Sequence, residues 1–307
     1  MSVVVLTGGV GGAKLVDGLS RALPAGALTA IVNTADDFTH LGLRICPDLD
    51  SVFYMLAGKA DPVRGWGVVD ESWNFMASLR DLGGEDWFNL GDRDLAMHVL
   101  RTEALARGET LAAFTASMTG QAGIATRLLP MSEDPVATVL DTDHGTLAFQ
   151  HYFVKHQCRP GVASIRFEGA EAAAVCPAVL DALADPALDA IIIAPSNPYL
   201  SVDPILSVPG MREALKGAKV PIVAVSPIVG GTAVKGPTAK MMQELGLVVG
   251  NAAIAAHYAG IIDGLLVDRS DDAAALPVAT MATNTLMKDA GDRLRVAEAA
   301  LELAGSL

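Results

Sequence analysis

The sequence predicts an α/β protein: a mostly parallel sheet flanked by helices, with a helical insertion. Three observations carry this. Short unbroken apolar runs recur in both halves of the chain, as expected of strands buried on two faces. The first run passes directly into a glycine-rich turn and then an amphipathic helix. Between the halves, residues 60–130 lose the strand rhythm and read as helical and polar.

The elements follow in order. Residues 3–6 form the first apolar run, Thr7-Gly8-Gly9-Val10-Gly11-Gly12 the turn, and Leu15, Leu19 and Ala22 the helix face. Residues 28–32 are a second strand, ending in Asn33-Thr34-Ala35-Asp36-Asp37. Within 60–130, helix faces are expected at Phe75, Leu79 and Leu82, at Leu95, Val99 and Ala106, and at Leu111, Phe114 and Met118. This segment holds all three tryptophans and is read as an insertion capping the sheet. Residues 136–141 and 146–154 are expected to pair as a hairpin around Asp143-His144-Gly145. A strand at 162–167 and a helix opened by Pro177 come next. Strands at 188–194, 220–225 and 264–268 resume the rhythm, and an amphipathic helix over 284–304 closes it. We read residues 1–307 as one α/β domain.

Composition limits the function. Half of the 307 residues (51%) are apolar, enough for a large core. Lys plus Arg is 22 and Asp plus Glu is 35, a formal charge of −13, which argues against nucleic acid as the partner. The greasiest stretch, 245–267, is broken by Asn251, His257, Tyr258 and Asp263, so no membrane span is expected. Cys46, Cys158 and Cys176 make neither a disulfide framework nor a zinc pattern. With no basic leader or cleavage motif at the start, the expected compartment is the cytoplasm.

Gly8, Gly9, Gly11 and Gly12 suit a backbone that approaches an anion, with the positive end of a helix behind them. Two familiar fingerprints fail here. Ala13 precedes Lys14 and Leu15 follows it, which excludes an ordinary P-loop, and Lys14 stands where a dinucleotide fold needs Gly or Ala. A phosphate or diphosphate ligand remains the better reading over a tight turn alone.

Acids gather in three places: Asp36 and Asp37, Asp48 and Asp50, and Asp92 and Asp94. As hard oxygen donors, Asp36, Asp37, Asp48 and Asp50 are candidate ligands for Mg²⁺. In an extended segment Asp48 and Asp50 would share a face. Helix capping explains Asp48, Asp50, Asp92 and Asp94 equally well. Lys14, Arg44 and Arg93 are each either structural ion pairs or anion contacts.

Eight words of the sequence, in this order, resemble one family: GGVGGAKLVDGL at 8–19, NTADDF at 33–38, GLRICPDLDSV at 42–52, NLGDRDLA at 89–96, LLPMSEDPV at 128–136, APSNP at 194–198, PGMREAL at 209–215 and SPIVGGTAVKGP at 226–237. The family is the 2-phospho-L-lactate transferases of coenzyme F-420 biosynthesis. The resemblance implies a Rossmann-like core with a helical addition, and a homodimer. It implies transfer of a phosphorylated three-carbon acid from a guanosine-diphosphate-activated donor to the ribityl hydroxyl of the deazaflavin Fo, with Mg²⁺ required and GMP released. By its place in the matching words, Asp50 with Arg93 resembles the deazaflavin-binding pair. The glycine loop with Lys14 resembles the donor-diphosphate site, making Asp50 and Lys14 the expected catalytic residues. Ser196 and Asn197 are implied nucleotide contacts, and Asn33 and Thr34 lie in a matching word beside the acids. The GGVGGAK opening departs from the archaeal pattern and leans the donor toward the phosphoenolpyruvyl type. The alternatives are a non-catalytic nucleotide-sugar-binding regulator of the gluconeogenesis-factor type, a nicotinamide oxidoreductase, and a phosphatase or nucleotidyltransferase.

Overall fold

Ser2-Val-Val-Val-Leu-Thr7 is apolar on both faces, and it lies inside a seven-stranded sheet (β1, Ser2–Thr7). Its neighbours are β2 (Leu28–Val32) on one side and Leu188–Ile193 on the other. The full order is Ala279–Thr283, Gly264–Asp268, Ile222–Val225, Leu188–Ile193, β1, β2, Arg127–Pro130, and every pairing is parallel. Counted along the chain this is 3-2-1-4-5-6-7, the Rossmann-like order whose direction reverses between the first and fourth strands. This computed structural model describes residues 1–233, 237–271 and 276–307, so three residues of the word at 226–237 lie outside the described residues.

Strand periodicity builds two cores. Val4 and Leu6 face one side with Ile191, Ile193 and Leu265, while Val3 and Val5 face the other with Ile192, Val223 and Leu266. The second side is covered by α1 (Gly9–Ala22), α2 (Pro47–Leu56) and the C-terminal helix Ala290–Gly305. Among the described residues, no helix is long and apolar enough to cross a membrane.

Several expectations need correction. The insertion is shorter than 60–130: its helices are α3 (Asn74–Asp81), α4 (Asp94–Ala106) and α5 (Leu111–Gln121), and Arg127–Pro130 is an edge strand of the main sheet. On α3 the buried residue is Met76, whereas Leu82 is 87% exposed. On α4 the apolar Val99 faces water and His98 and Arg101 face inward, because buried acids from α2 await them. The hairpin around Asp143 forms between Ala137–Thr142 and Gly145–Ala148, but its second strand stops there and His151–Lys155 turns helical. The final helix starts at Ala290 rather than near 284, capped by Asp289, whose side chain accepts from Asp292 N–H.

α1 and the C-terminal helix touch through Gly18. A Cβ there would lie 2.2 Å from the Arg293 carbonyl oxygen and 2.7 Å from its carbon, both backbone atoms that cannot swing aside. Gly18→Ala is therefore expected to cost about 1–3 kcal/mol by pushing the helices apart. A urea melt with an unshifted midpoint would show that the contact is not closed.

Candidate active site

The turn after β1 lies at the reversal point of the sheet, where ligands of such folds bind beyond the carboxyl ends of the strands. Glycine is needed there for packing as well as for a ligand. A Cβ on Gly8 would meet Asp48 Oδ2 at 2.6 Å and Ser201 Cβ at 2.8 Å, and one on Gly12 would meet Thr7 Oγ1 at 2.2 Å and Ser196 Oγ at 2.5 Å. Gly9 adopts φ +64°, the left-handed region. Ser196 staples the turn to the end of Leu188–Ile193: its hydroxyl donates to Gly8 O at 2.7 Å and accepts from Gly8 N–H at 3.2 Å. The Gly9 amide faces Asp48 and lowers its carboxyl. The Gly8 amide, expected to grip a diphosphate, is thus engaged within the protein.

Asn33, wholly buried at the end of β2, organises two of the acids. Its Nδ2 donates to Asp36 Oδ2 at 3.1 Å and to Asp48 Oδ2 at 3.0 Å, and its Oδ1 accepts from Ala35 N–H at 2.9 Å. Burial, then the charge of Asp48, drives the Asp36 carboxyl well above its usual range. Burial pushes Asp48 up to about 6, against the pull of Asn33 and Gly9. Among the described residues, no well-formed hydrogen bond reaches the buried Asp36 Oδ1 or the Thr34 hydroxyl, though the Thr138 hydroxyl also lowers Asp36.

The other two acids carry cations. Asp37 rises to about 7 by burial, moderated by Arg44 at 3.4 Å. Asp50 is gripped through both oxygens by Arg101, itself 2% exposed, with Nη1 to Oδ2 at 3.1 Å. His98 bridges onward, with Nδ1 3.7 Å from Asp50 and Nε2 3.3 Å from Asp94, which also accepts from the Tyr54 hydroxyl. Asp50, Asp94 and His98 lie close enough to share an ion, but Arg101 already supplies the positive charge there.

The four expected metal ligands therefore do not form one set. Residues 47–56 are helical, so Asp48 and Asp50 point about 200° apart around α2 instead of sharing a face. Magnesium fits Asp36 with Asp48: two hard oxygens crowd one neutral amide, and a buried carboxylate oxygen lacks a well-formed hydrogen bond. Neither acid of α2 is the N-cap, which is Cys46. Asp92 is a cap instead, accepting from Asn74 N–H at 3.0 Å and Phe75 N–H at 3.0 Å at the start of α3.

The remaining expected residues fall as follows. Lys14 donates to the Met287 carbonyl at 2.7 Å, tying α1 to the segment before the last helix. Asn197 caps the turn Pro198–Val202, with Oδ1 accepting from Tyr199 and Leu200 N–H. Arg93 is exposed, donates to Val69 O at 3.2 Å, and makes no ion pair among the described residues. Arg101 and His98 escaped the sequence reading. Their signal was the spacing Asp94, His98, Arg101, which puts all three on one face of a helix.

A family model described as "2-phospho-L-lactate transferase CofD" matches residues 3–300. The chain belongs to this family. It is 42% identical to a phosphoenolpyruvate transferase of Streptomyces griseus, over 99% of this chain and 98% of that protein. It is 38% identical to a 2-phospho-L-lactate transferase of Methanosarcina mazei, over 88% of each. Among solved structures, a Bacillus halodurans protein superposes with a TM-score of 0.68 over 98% of this chain and 99% of its own, at 20% identity, which attests the fold. The CofD family is one of transferases, so the acids and glycine turn just described sit in an enzyme.

Two outcomes test this geometry. Arg101→Leu leaves Asp50 buried without its cation and is expected to cost about 3–5 kcal/mol, whereas adding Asp50→Leu to it should recover part of the loss in urea melts. The second concerns pH. Asp48 titrates near 6 folded, against about 3.9 unfolded, so its stabilisation is complete below pH 4 and is lost as pH rises through 6. Asp48→Asn should therefore melt with the parent protein near pH 4 and above it at pH 7.5, in metal-free buffer. Parallel melting curves at both pH values would show that Asp48 is not strained by burial.

Proposed function

We propose that this protein transfers a phosphorylated three-carbon acid, of the phosphoenolpyruvyl type, from its guanosine-diphosphate-activated donor to the ribityl hydroxyl of the deazaflavin Fo, releasing GMP in coenzyme F-420 biosynthesis. The observation that carries the reading is the buried Asp36–Asn33–Asp48 group pressed against the glycine turn at the sheet's reversal point. Membership of the transferase family supports it. The identity of 42% to a relative named a phosphoenolpyruvate transferase, against 38% to one named for phospholactate, favours the phosphoenolpyruvyl donor.

Each group has a task in this reaction. The ribityl oxygen forms a bond to the phosphorus bearing the acid, the bond from that phosphorus to the GMP oxygen breaks, and the hydroxyl proton leaves. First-turn amides of α1 donate to the diphosphate, where negative charge is greatest. Asp36 and Asp48, set by Asn33, would hold Mg²⁺, which neutralises the diphosphate. Asp50, immobilised by Arg101, accepts from the incoming hydroxyl and orients it. The exposed, unpaired Arg93 is available to the deazaflavin.

Incubation with Fo, Mg²⁺ and each of the phosphoenolpyruvyl, phospholactyl and phosphoglyceryl guanylates tests the reading. Mass spectrometry should show Fo gaining the phosphoenolpyruvyl group, with GMP formed in equal amount. Failure of Fo to gain mass with any donor would refute it. Asp36→Asn is expected to lower kcat by about 10²-fold or more and to raise the Mg²⁺ concentration required for half activity.

A further inference from the structure

α4 opens with a residue that suits neither the bonding nor the charge of a helix start. Its N-cap is Arg93, whose guanidinium cannot accept from the first-turn amides. The cation also stands at the positive end of the helix. Aspartate, asparagine, serine or threonine would meet both needs. Departures of this kind gather at functional sites.

The missing cap comes from 22 residues away, where Glu71 Oε1 accepts from Arg93 N–H at 2.7 Å. Its Oε2 accepts from Asp94 N–H at 3.2 Å. Gly91 makes room for this carboxylate: a Cβ there would lie 2.1 Å from Glu71 Cδ and 2.2 Å from Oε2. The exchange is reciprocal. Ser72 O accepts from Asp92 N–H at 3.0 Å, and Asp92 in return caps α3 and accepts from the Ser72 hydroxyl at 2.8 Å. Residues 71–75 and 91–94 thus hold each other through exchanged carboxylates.

The consequence falls on the Arg93 side chain. Its acidic neighbours are Glu71, Asp92 and Asp94, and each is engaged elsewhere. Glu71 takes backbone amides, Asp92 takes the start of α3, and Asp94 takes the Tyr54 hydroxyl and faces His98. Among the described residues none of them pairs with Arg93, whose guanidinium donates to the Val69 carbonyl, two residues before Glu71. An acid that met the guanidinium would neutralise it. An acid bound to the amide of the same residue fixes its place and leaves its charge free.

We propose that Glu71 is a positioning residue for the acceptor: by taking the amides of residues 93 and 94 it fixes the start of α4 and keeps the Arg93 cation exposed and uncompensated. The inference rests on the transferase reading above, in which Arg93 meets the deazaflavin.

The test measures kcat, the KM for Fo and the KM for the guanylated donor in the full chain and in Glu71→Ala, Glu71→Gln, Gly91→Ala and Arg93→Ala, with a urea melt of each. Glu71→Ala should raise the Fo KM by about tenfold and leave the donor KM within about twofold. Gly91→Ala keeps the acid but drives it from the cap, and should act alike. Glu71→Gln, whose amide oxygen still accepts from Arg93 N–H, should restore most of the loss. In an Arg93→Ala background Glu71→Ala should add nothing, because its effect passes through that side chain. If Glu71→Ala melts too early to assay, Gly91→Ala and its double variant with Arg93→Ala decide by the same comparison. Equal losses for Fo and donor, or an undiminished effect in the Arg93→Ala background, would overturn the inference in favour of a stabilising cap alone. An unchanged Fo KM in Glu71→Ala and Gly91→Ala would overturn it as well, and transfer to Fo by the parent would keep the transferase reading intact. A parent protein that does not transfer to Fo would overturn both.

Discussion

Four carboxylates of an acidic chain are buried at the mouth of a parallel sheet, and the surrounding site is shaped by the need to tolerate them. A buried carboxylate without a partner protonates or destabilises the fold. Asp37 and Asp50 meet this need with the guanidiniums of Arg44 and Arg101. Among the described residues, Asp36 and Asp48 face neutral donors, chiefly the amide of Asn33 and, for Asp36, the Thr138 hydroxyl, and no guanidinium. The first pair is neutralised by the chain itself and the second is left short of positive charge. That asymmetry separates the places where the fold supplies its own counter-charge from the place where it supplies only neutral donors.

The glycine turn shows why a structural and a functional role need not compete. Gly8 and Gly12 are small because Asp48, Ser201, Thr7 and Ser196 occupy the space a Cβ would take. The same closeness presses Asp48 against the start of α1, so a buried carboxylate and the first turn of that helix meet without long side chains. Lys14 fits this picture less directly, since its ammonium lies on the Met287 carbonyl.

Much of the fold was legible because its signals are local. Unbroken apolar runs such as residues 190–193 have few folded alternatives, and Pro177 at the first turn of its helix announces that helix. The central acids were legible as a cluster but not as an arrangement. An i, i+2 pair lies on one face of an extended segment and on nearly opposite faces of a helix, and Pro47 settles that choice by opening α2 there. α4 was harder still. Its Leu95, Val99 and Ala106 read as a core face, yet Val99 lies outward, because Asp50 needs Arg101 more than the core needs another aliphatic side chain. Such a reversal depends on a partner 51 residues away, and no local pattern carries that information.

The division of charge also orders the site in space. Asp50, paired with Arg101, lies on α2 with His98, Asp94 and Tyr54 around it. Ser196 and the strand that follows the reversal point lie on the other side of the glycine turn. Asp36 and Asp48 meet at Asn33. An alcohol must be oriented yet remain reactive, so a carboxylate pinned by a guanidinium suits it: fixed in direction, and unable to rotate away. In the proposed reaction a donor diphosphate must instead be neutralised only while it is present, which suits acids whose counter-charge arrives with the substrate. The fold separates these two requirements on nearly opposite faces of the first turn of one helix, Asp48 facing the loop and Asp50 facing the insertion.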